Sequence, residues 1–446
     1  MGERIDLKGS WQVEGAGRKV AVEIPGDVHS GLLAAGEIAD PYWGANELDL
    51  QSLHKEDWLF SRLFEVEDGM LAAPSIYLHF DSIDTVAQVH VNGKEVGQSD
   101  NMFARCRFEI KEQLKAGTNE VEVRIRSAEN VAIERVDEMP YEIPSSDYPV
   151  QSPQRNLLRK VQCHAGWDWG CCLMAAGLYG EVYVAAATPG RIEHVYTQQR
   201  HSKDACSIEI CVEVEAAAAA TTELVVAIDG QELKKTLALK AGLNLLNERV
   251  NIEDPRIWWP AGYGEQPLYK LAIAVAGDRV EKRLGLREVE LITEEDERGL
   301  GFKFCVNGLD IFAKGANWIP CDALPARQTR AALDELLTSA AAAHMNMIRV
   351  WGGGQYESED FYDLCDEKGL LVWQDFMFSC STYPATKEFL ASVEQEARYQ
   401  VKRLRDHACI ALWCGNNEDL GALNWYEVSR QNRDRYLVDY DRLTEG

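Results

Sequence analysis

The stretch IALWCGNNED, Ile410 to Asp419, changes character half-way. Ile410 to Trp413 read as a short buried strand, while Gly415, Asn416, Asn417 and Glu418 put a turn, two amides and a carboxylate at its end. The same alternation recurs upstream. MIRVW and LLVWQDF are apolar runs of strand length, and helical segments lie between them. RAALDELLTSAAAAH sets Leu333, Leu336, Leu337, Ala340 and Ala341 on one helical face. SEDFYDLCDEKG opens on Ser358 as an N-cap, carries acids in its first turn and stops at Gly369. A long helix is expected from about Lys387 to Arg405.

Strand–helix repeats with near-continuous apolar strands indicate parallel βα units. Four strands are expected, the first in IFAKGAN. Their tips carry Asn317 and Trp318, Arg349 and Trp351, Gln374 and Asp375, Asn417 and Glu418. In a βα barrel the strand tips face the active site, so the opening strand reads as a rigid mount for Glu418. A barrel needs eight strands. After the fourth, LNWYEVSRQNRDRYLVDYDRL reads as a loop and one more helix. Residues 290–446 are therefore expected to form the first half of a TIM barrel, marginally folded by itself because its sheet edges are unpaired.

Before residue 290 the pattern is β. TVAQVHVNGKEVGQ alternates around Asn92-Gly93, a pair suited to the positive φ angles of a hairpin turn. TNEVEVRIRS turns Val121, Val123 and Ile125 inward. A Thr-Pro-Gly break near Pro189 separates this region from a second β stretch with short strands at sandwich spacing. The fold class expected is multidomain β plus α/β: a β-sandwich over 1–188, an immunoglobulin-like sandwich over 189–289 and the partial barrel. RIWWPAGYGEQPLY reads as an aromatic anchor packing one domain on the next.

The formal charge of the 446 residues is −26, a field that repels phosphate backbones and anionic membranes, so no nucleic acid and no membrane are expected as partners. The opening MGERIDLKGSWQV lacks the apolar core of a signal peptide, and no apolar run is long enough to span a bilayer. Twelve cysteines in such a chain read as reduced thiols. The expectation is a cytosolic protein.

A carboxylate at a strand tip beside an amide and several tryptophans suits glycoside hydrolysis. Indole faces stack on pyranose C–H surfaces, and a desolvated Glu becomes basic enough to carry a proton near neutrality. The alternative is that Asn416 or Asn417 caps the next helix and Glu418 is an idle first-turn acid. CHAGWDWGCC, Cys163 to Cys172, sets Asp168 between Trp167 and Trp169. It reads as an arm bringing an acid and two stacking faces to a sugar, or as an aromatic turn between domains. Zinc on Cys163, His164, Cys171 and Cys172 is disfavoured, because no paired Cys-x-x-Cys spacing is present. WGGG at Trp351 to Gly354 lacks the Lys-Ser/Thr of a phosphate loop.

Together WCGNNE, RVWGGG, WQDFMFSCSTYP, GANWIPCD, GWDWG, WWPAGYGEQPLY and DPYWGANE resemble the β-mannosidases of glycoside hydrolase family two. The resemblance runs from Trp11 to Leu437. It implies a jelly-roll sugar-binding domain, an immunoglobulin-like domain and a (β/α)8 catalytic barrel. It further implies Glu418 as the general acid/base, Asn417 as a contact of the sugar beside the anomeric carbon, and Trp167, Asp168, Trp169 and Trp351 at the non-reducing sugar. The implied chemistry is retaining and exo-acting on terminal β-D-mannose residues of oligosaccharides or glycoconjugates, without metal or cofactor. Two departures stand out. Cys171 occupies the place where the family usually carries Pro after GWDWG. The family's nucleophile is a Glu on a later strand, and the only glutamates after Asp419 are Glu427 and Glu445, neither at a strand tip. The nucleophile is therefore expected outside this chain, with a complementing C-terminal half or a homodimer as candidate partners, and the chain alone is expected to be inactive. Another family-two exo-β-glycosidase (a galactosidase, glucuronidase or glucosaminidase) and a non-catalytic carbohydrate-binding module are the competing readings.

Overall fold

A computed structural model describes residues 3–145 and 152–444; Glu445 lies outside them. The first β region is a sandwich. One sheet runs, in spatial order, Arg4–Asp6, Gly177–Ala186, Ile76–Asp84 and Cys106–Glu109, with Gly26–Asp27 also paired to Gly177–Ala186. The other runs Arg18–Ile24, Gly9–Gly15, Trp58–Val66, Gly117–Ile125, Ala87–Val91 and Lys94–Ser99. Trp11, Phe60 and Phe80 fill the space between them, joined by Val121, Val123 and Ile125 on the inward face that the alternation predicts. Asn92 and Gly93 turn the expected hairpin, at φ 51° and 77°.

The second β region has seven strands in two antiparallel sheets. Gly190–His201, Ala205–Ala216 and Gly242–Glu253 form one; Gln231–Leu239, Ala220–Ile228, Tyr269–Val275 and Asp278–Leu284 form the other. Its core of Ile208, Ile210, Val226 and Ile273 is separate from the first.

Beyond residue 310, Gly315–Trp318, Met347–Val350, Leu371–Asp375 and Ile410–Cys414 form a parallel sheet whose spatial order follows the chain. Helices Arg330–Ala342, Glu359–Lys368 and Lys387–Leu404 connect them. Gly369, at φ 73°, ends the second helix as expected. Three details differ from the sequence reading. IFAKGAN is not one strand: Leu309–Ile311 pairs antiparallel with Lys303–Val306, and the parallel strand begins only at Gly315. Leu336 is 45% exposed, so the buried stripe of its helix rests on Leu333 and Leu337. The final stretch folds as three short helices, Asp419–Trp425, Glu427–Gln431 and Arg433–Thr444, in place of one. Burial also grades across the sheet. The inner two strands are mostly buried, whereas Gly315–Trp318, with one neighbour only, is largely exposed. No helix among the described residues is long and apolar enough to cross a membrane.

The base of the parallel sheet is locked to the second sandwich. Trp258 is fully buried against Met347, Leu371 and Ala408, and its indole N–H donates to the Asp366 carbonyl at 2.8 Å. The aromatic run is thus the anchor its composition suggests. Trp258→Ala is expected to lower stability by about 3–5 kcal/mol, read as a fall in the urea midpoint of the parallel region; an unchanged midpoint would remove the anchor role.

Beside it, His407 Nδ1 lies 2.8 Å from Asp366 Oδ2. Burial opposes charge on this ring, but Asp366 and Glu359 outweigh it and raise His407 to about 9. A pKa raised on folding stabilises the fold fully below the unfolded value near 6.5, and that stabilisation disappears as pH climbs through about 9. The difference in melting temperature between the parent and His407→Gln should be largest below pH 6.5 and shrink towards pH 9. A difference that grows with pH would reverse the assignment.

Candidate active site

Glu418 sits at the tip of the last parallel strand with φ 64°, one of few non-glycine residues in the left-handed region. It opens helix Asp419–Trp425 without donating or accepting a side-chain cap. The carboxylate is exposed, contrary to the expectation of a desolvated Glu. The buried carboxyl of this tip is its neighbour: Asp419 is 4% exposed, accepts from Ser381 N at 3.3 Å, and is pushed well up by burial. The left-handed turn explains the exchange, because it sends residue 418 outward and residue 419 under the loop.

Asn417 is buried and does not cap the helix with its side chain. Its Oδ1 accepts from Arg349 Nη2 at 3.0 Å, and its Nδ2 donates to Ser379 Oγ at 3.1 Å. Asn416 takes the helix-entry role, accepting from Asp419 N at 3.1 Å. Arg349 also grips Asp375 through Nε and Nη2, at 3.2 and 2.7 Å. Burial pushes the Asp375 carboxyl up against the pull of that guanidinium. Asp375 Oδ2 further accepts from Gly352 N at 3.1 Å. One buried carboxylate therefore ties the loop of Trp351 to the strand that presents Asn417.

The Trp-Asp-Trp loop is a two-residue hairpin, in which Trp167 pairs with Gly170 and Ala165 with Cys172. It meets the parallel sheet directly. Trp167 and Trp169 stand edge-on to Trp351, with ring centroids 4.9 and 5.7 Å away. Cys163 N donates to Gly353 O at 2.9 Å, joining the two loops through their backbones. Arg155 lies over the Trp167 ring at 4.8 Å. Asp168 occupies the exposed hairpin tip, and Trp169 is 47% exposed. The glycines after Trp351 serve close packing: a Cβ on Gly353 would collide with the Trp351 ring, and one on Gly352 with the Phe378 carbonyl.

The residues weighed for zinc do not converge. Cys172 faces His54 at 4.0 Å, whereas His164 is buried 3.9 Å from the Asp84 carboxylate, which Lys160 already neutralises. Burial raises the Cys163 and Cys172 thiols to about 12, which keeps both protonated near neutral pH. Among the described residues, the side chains close enough to share an ion are Asp366, His407 and Cys409. There Asp366 is already engaged by His407 and by Cys409 N.

Two domain families match this chain: the glycosyl hydrolase 2 galactose-binding domain-like family over residues 11–180, and glycosyl hydrolases family 2 over residues 190–287. The β-mannosidase of Bos taurus is 36% identical over 464 aligned residues, covering 98% of this chain and 53% of the bovine protein. Residues 11–180 and 190–287 are the N-terminal domains of a glycoside hydrolase of family 2. The crystal structure of a β-D-mannosidase from Dictyoglomus thermophilum superposes with a TM-score of 0.90 at 39% identity, over 93% of this chain and 52% of that one. An exo-chitosanase from Amycolatopsis orientalis, at 20% identity and a TM-score of 0.75 over 92% of this chain and 49% of its own, shares the fold alone. The chain spans about half the length of the curated relatives it matches.

Several polar residues of this candidate site escape a reading by strand tips and spacing. The Arg349–Asp375–Asn417 network needs three strands side by side before it exists. Glu357 is 2% exposed and accepts from Trp318 Nε1 at 3.0 Å and Gln355 Nε2 at 3.1 Å. Burial still pushes its carboxyl up to about 7. The signal was the acid closing WGGGQYE, which the glycines before it overshadow.

Proposed function

We propose that this chain is the sugar-recognising and proton-donating part of a retaining exo-β-mannosidase, acting on terminal non-reducing β-D-mannose residues. The observation that carries the proposal is the cluster of Trp167, Trp169 and Trp351, joined through Asp375 and Arg349 to the strand tip bearing Asn417 and Glu418. Aromatic faces beside a carboxylic acid and an amide supply ring stacking, proton donation and a hydroxyl contact, which glycoside hydrolysis requires. Identities of 36–39% to β-mannosidases over nearly the whole chain favour mannose among the family's sugars.

In this reading residues 1–188 are a jelly-roll sugar-binding domain, 189–289 an immunoglobulin-like sandwich and 290–446 the first half of a TIM barrel. Glu418 protonates the leaving oxygen and later activates water. Asn417 holds the hydroxyl beside the anomeric carbon, Asp168 binds hydroxyls from the hairpin tip, and the three tryptophans wall the terminal sugar. The nucleophilic Glu comes from a later strand outside these 446 residues, on a complementing half or longer polypeptide. Twelve free thiols suit the cytosol.

The test is a panel of nitrophenyl glycosides on the chain completed with four further βα units. The β-mannoside should lead the β-galactoside, β-glucuronide and β-glucosaminide by at least about tenfold in kcat/KM. A different leading sugar would overturn the specificity. Residues 1–446 alone should give no turnover; robust cleavage by them, with contaminants excluded, would overturn the placement of the nucleophile.

A further inference from the structure

The tip of the third parallel strand carries a group whose chemistry the proposed mechanism leaves unused. Cys380 follows Ser379 in the loop after Asp375, half-buried, with φ 52°. Glu418 faces it from the neighbouring strand with φ 64°. Two left-handed, non-glycine residues opposite one another are uncommon, and such conformations persist only where surrounding contacts hold them. Here the backbone does so: Asn417 N donates to Phe378 O at 3.0 Å, and Cys380 N donates to Asn417 O at 2.8 Å. The side chains then converge. Cys380 Sγ accepts from Asn417 Nδ2 at 3.3 Å and from Ser379 Oγ at 3.4 Å. With its acceptor side occupied, the thiol hydrogen is left for Glu418 Oε2, 3.5 Å away and within the longer reach of sulfur. Among the described residues, no other side chain hydrogen-bonds this carboxylate.

We infer that Cys380 is a positioning residue for Glu418, its thiol donating to the carboxylate and completing a chain that runs Asp375, Arg349, Asn417, Cys380, Glu418. The inference rests on the reading of Glu418 as acid/base. An exposed glutamate on a flexible stem samples many rotamers; the thiol selects those that point its oxygen across the gap between the two strand tips. A thiol suits the task because it reaches further than a hydroxyl and donates weakly enough to release the carboxylate when a substrate oxygen needs the proton. Burial raises this thiol to about 11, and the adjacent carboxylate adds to the effect, so the proton stays on sulfur through the neutral range.

Two measurements test this. On the 446-residue chain, iodoacetamide labelling of Cys380 at pH 8 is followed by mass spectrometry with Cys321, another half-buried thiol, as internal reference. Glu418→Gln removes the negative charge and the anionic acceptor, so Cys380 should label about three- to tenfold faster while Cys321 does not change. Equal rates would overturn the contact. In the completed enzyme, Cys380→Ala and Cys380→Ser are compared on mannobiose and a dinitrophenyl mannoside. Ala should lower kcat/KM by roughly tenfold on mannobiose but by less than about twofold on a dinitrophenyl mannoside, since only the substrate that needs a proton depends on where the Glu418 carboxyl points. Ser, which still donates but reaches less far than the thiol, should restore the mannobiose rate in part. Melting temperatures should match the parent, since neither substitution changes the backbone demand at residue 380. An unchanged mannobiose rate in the Ala variant, or an equal loss on both substrates, with Glu418→Gln still inactive, would overturn the positioning role and leave the proposed function standing. Full turnover by Glu418→Gln would overturn both.

Discussion

Glu418→Gln, in the chain completed with the four further βα units proposed above, is expected to lower turnover of mannobiose by about 10²–10⁴-fold while leaving the fold unchanged. The amide keeps the size and reach of the acid but has no proton to give to the leaving oxygen. The loss should shrink for a dinitrophenyl mannoside, whose leaving group departs without protonation. Water attack on the glycosyl-enzyme would then limit the rate, since the amide cannot act as base either, and added azide should restore release because an anion needs no deprotonation. The exposed, left-handed position of Glu418 makes the experiment clean. Its carboxylate meets the buried network of Asn417, Arg349 and Asp375 only at the network's edge, through the Cys380 thiol, so the substitution should not disturb packing. As an idle helix-terminal charge, Glu418 would matter by less than about 1 kcal/mol in stability and nothing in rate. Equal losses on both substrates with no azide rescue would remove it from the acid/base role.

Arg159→Met is expected to cost about 3–5 kcal/mol of stability. Arg159 reaches from the first sandwich to Glu396 on helix Lys387–Leu404, with hydrogen bonds of 2.9 and 2.6 Å and both side chains almost wholly buried. Asn101 Nδ2 and Tyr356 Oη also donate to this carboxylate, at 3.0 and 2.9 Å. Removing the guanidinium leaves a buried carboxylate with neutral donors only. Removing both charges, as in Arg159→Met with Glu396→Leu, should recover most of the loss, because apolar groups of similar volume replace a buried pair at little cost. Thermal unfolding of the two variants separates a required ion pair from mere packing. The same pair bears on the four-stranded parallel sheet, whose unpaired edge strands alone would leave it marginal. If the sandwich interface supports it, limited proteolysis of Arg159→Met should cut beyond residue 290 before the parent does. Identical cleavage would show that the interface contributes little.

What could be read from the residues alone was whatever depends on near neighbours in sequence. The alternation around Asn92-Gly93, the stop at Gly369 and the apolar strand leading to Asn417 and Glu418 are local patterns that the structure realises, while Ser358 takes the N-cap backbone position without a side-chain cap bond. Resemblance then attached roles to Glu418, Asn417 and the tryptophans. Other features were decided by tertiary structure. Trp167 and Trp169 meet Trp351 across more than 180 residues of chain, and no periodicity encodes that approach. Arg349, Asp375 and Asn417 become one network only when three parallel strands lie in register. Burial is likewise a property of the assembled surface, which is why the desolvated carboxyl proved to be Asp419 and not Glu418, and why Leu336 stayed exposed on a face that looked apolar. The chemistry available at each strand tip was written in the residues; which groups share a hydrogen bond and which meet water depended on how the sheets packed, because those relations are set by distances through space and not along the chain.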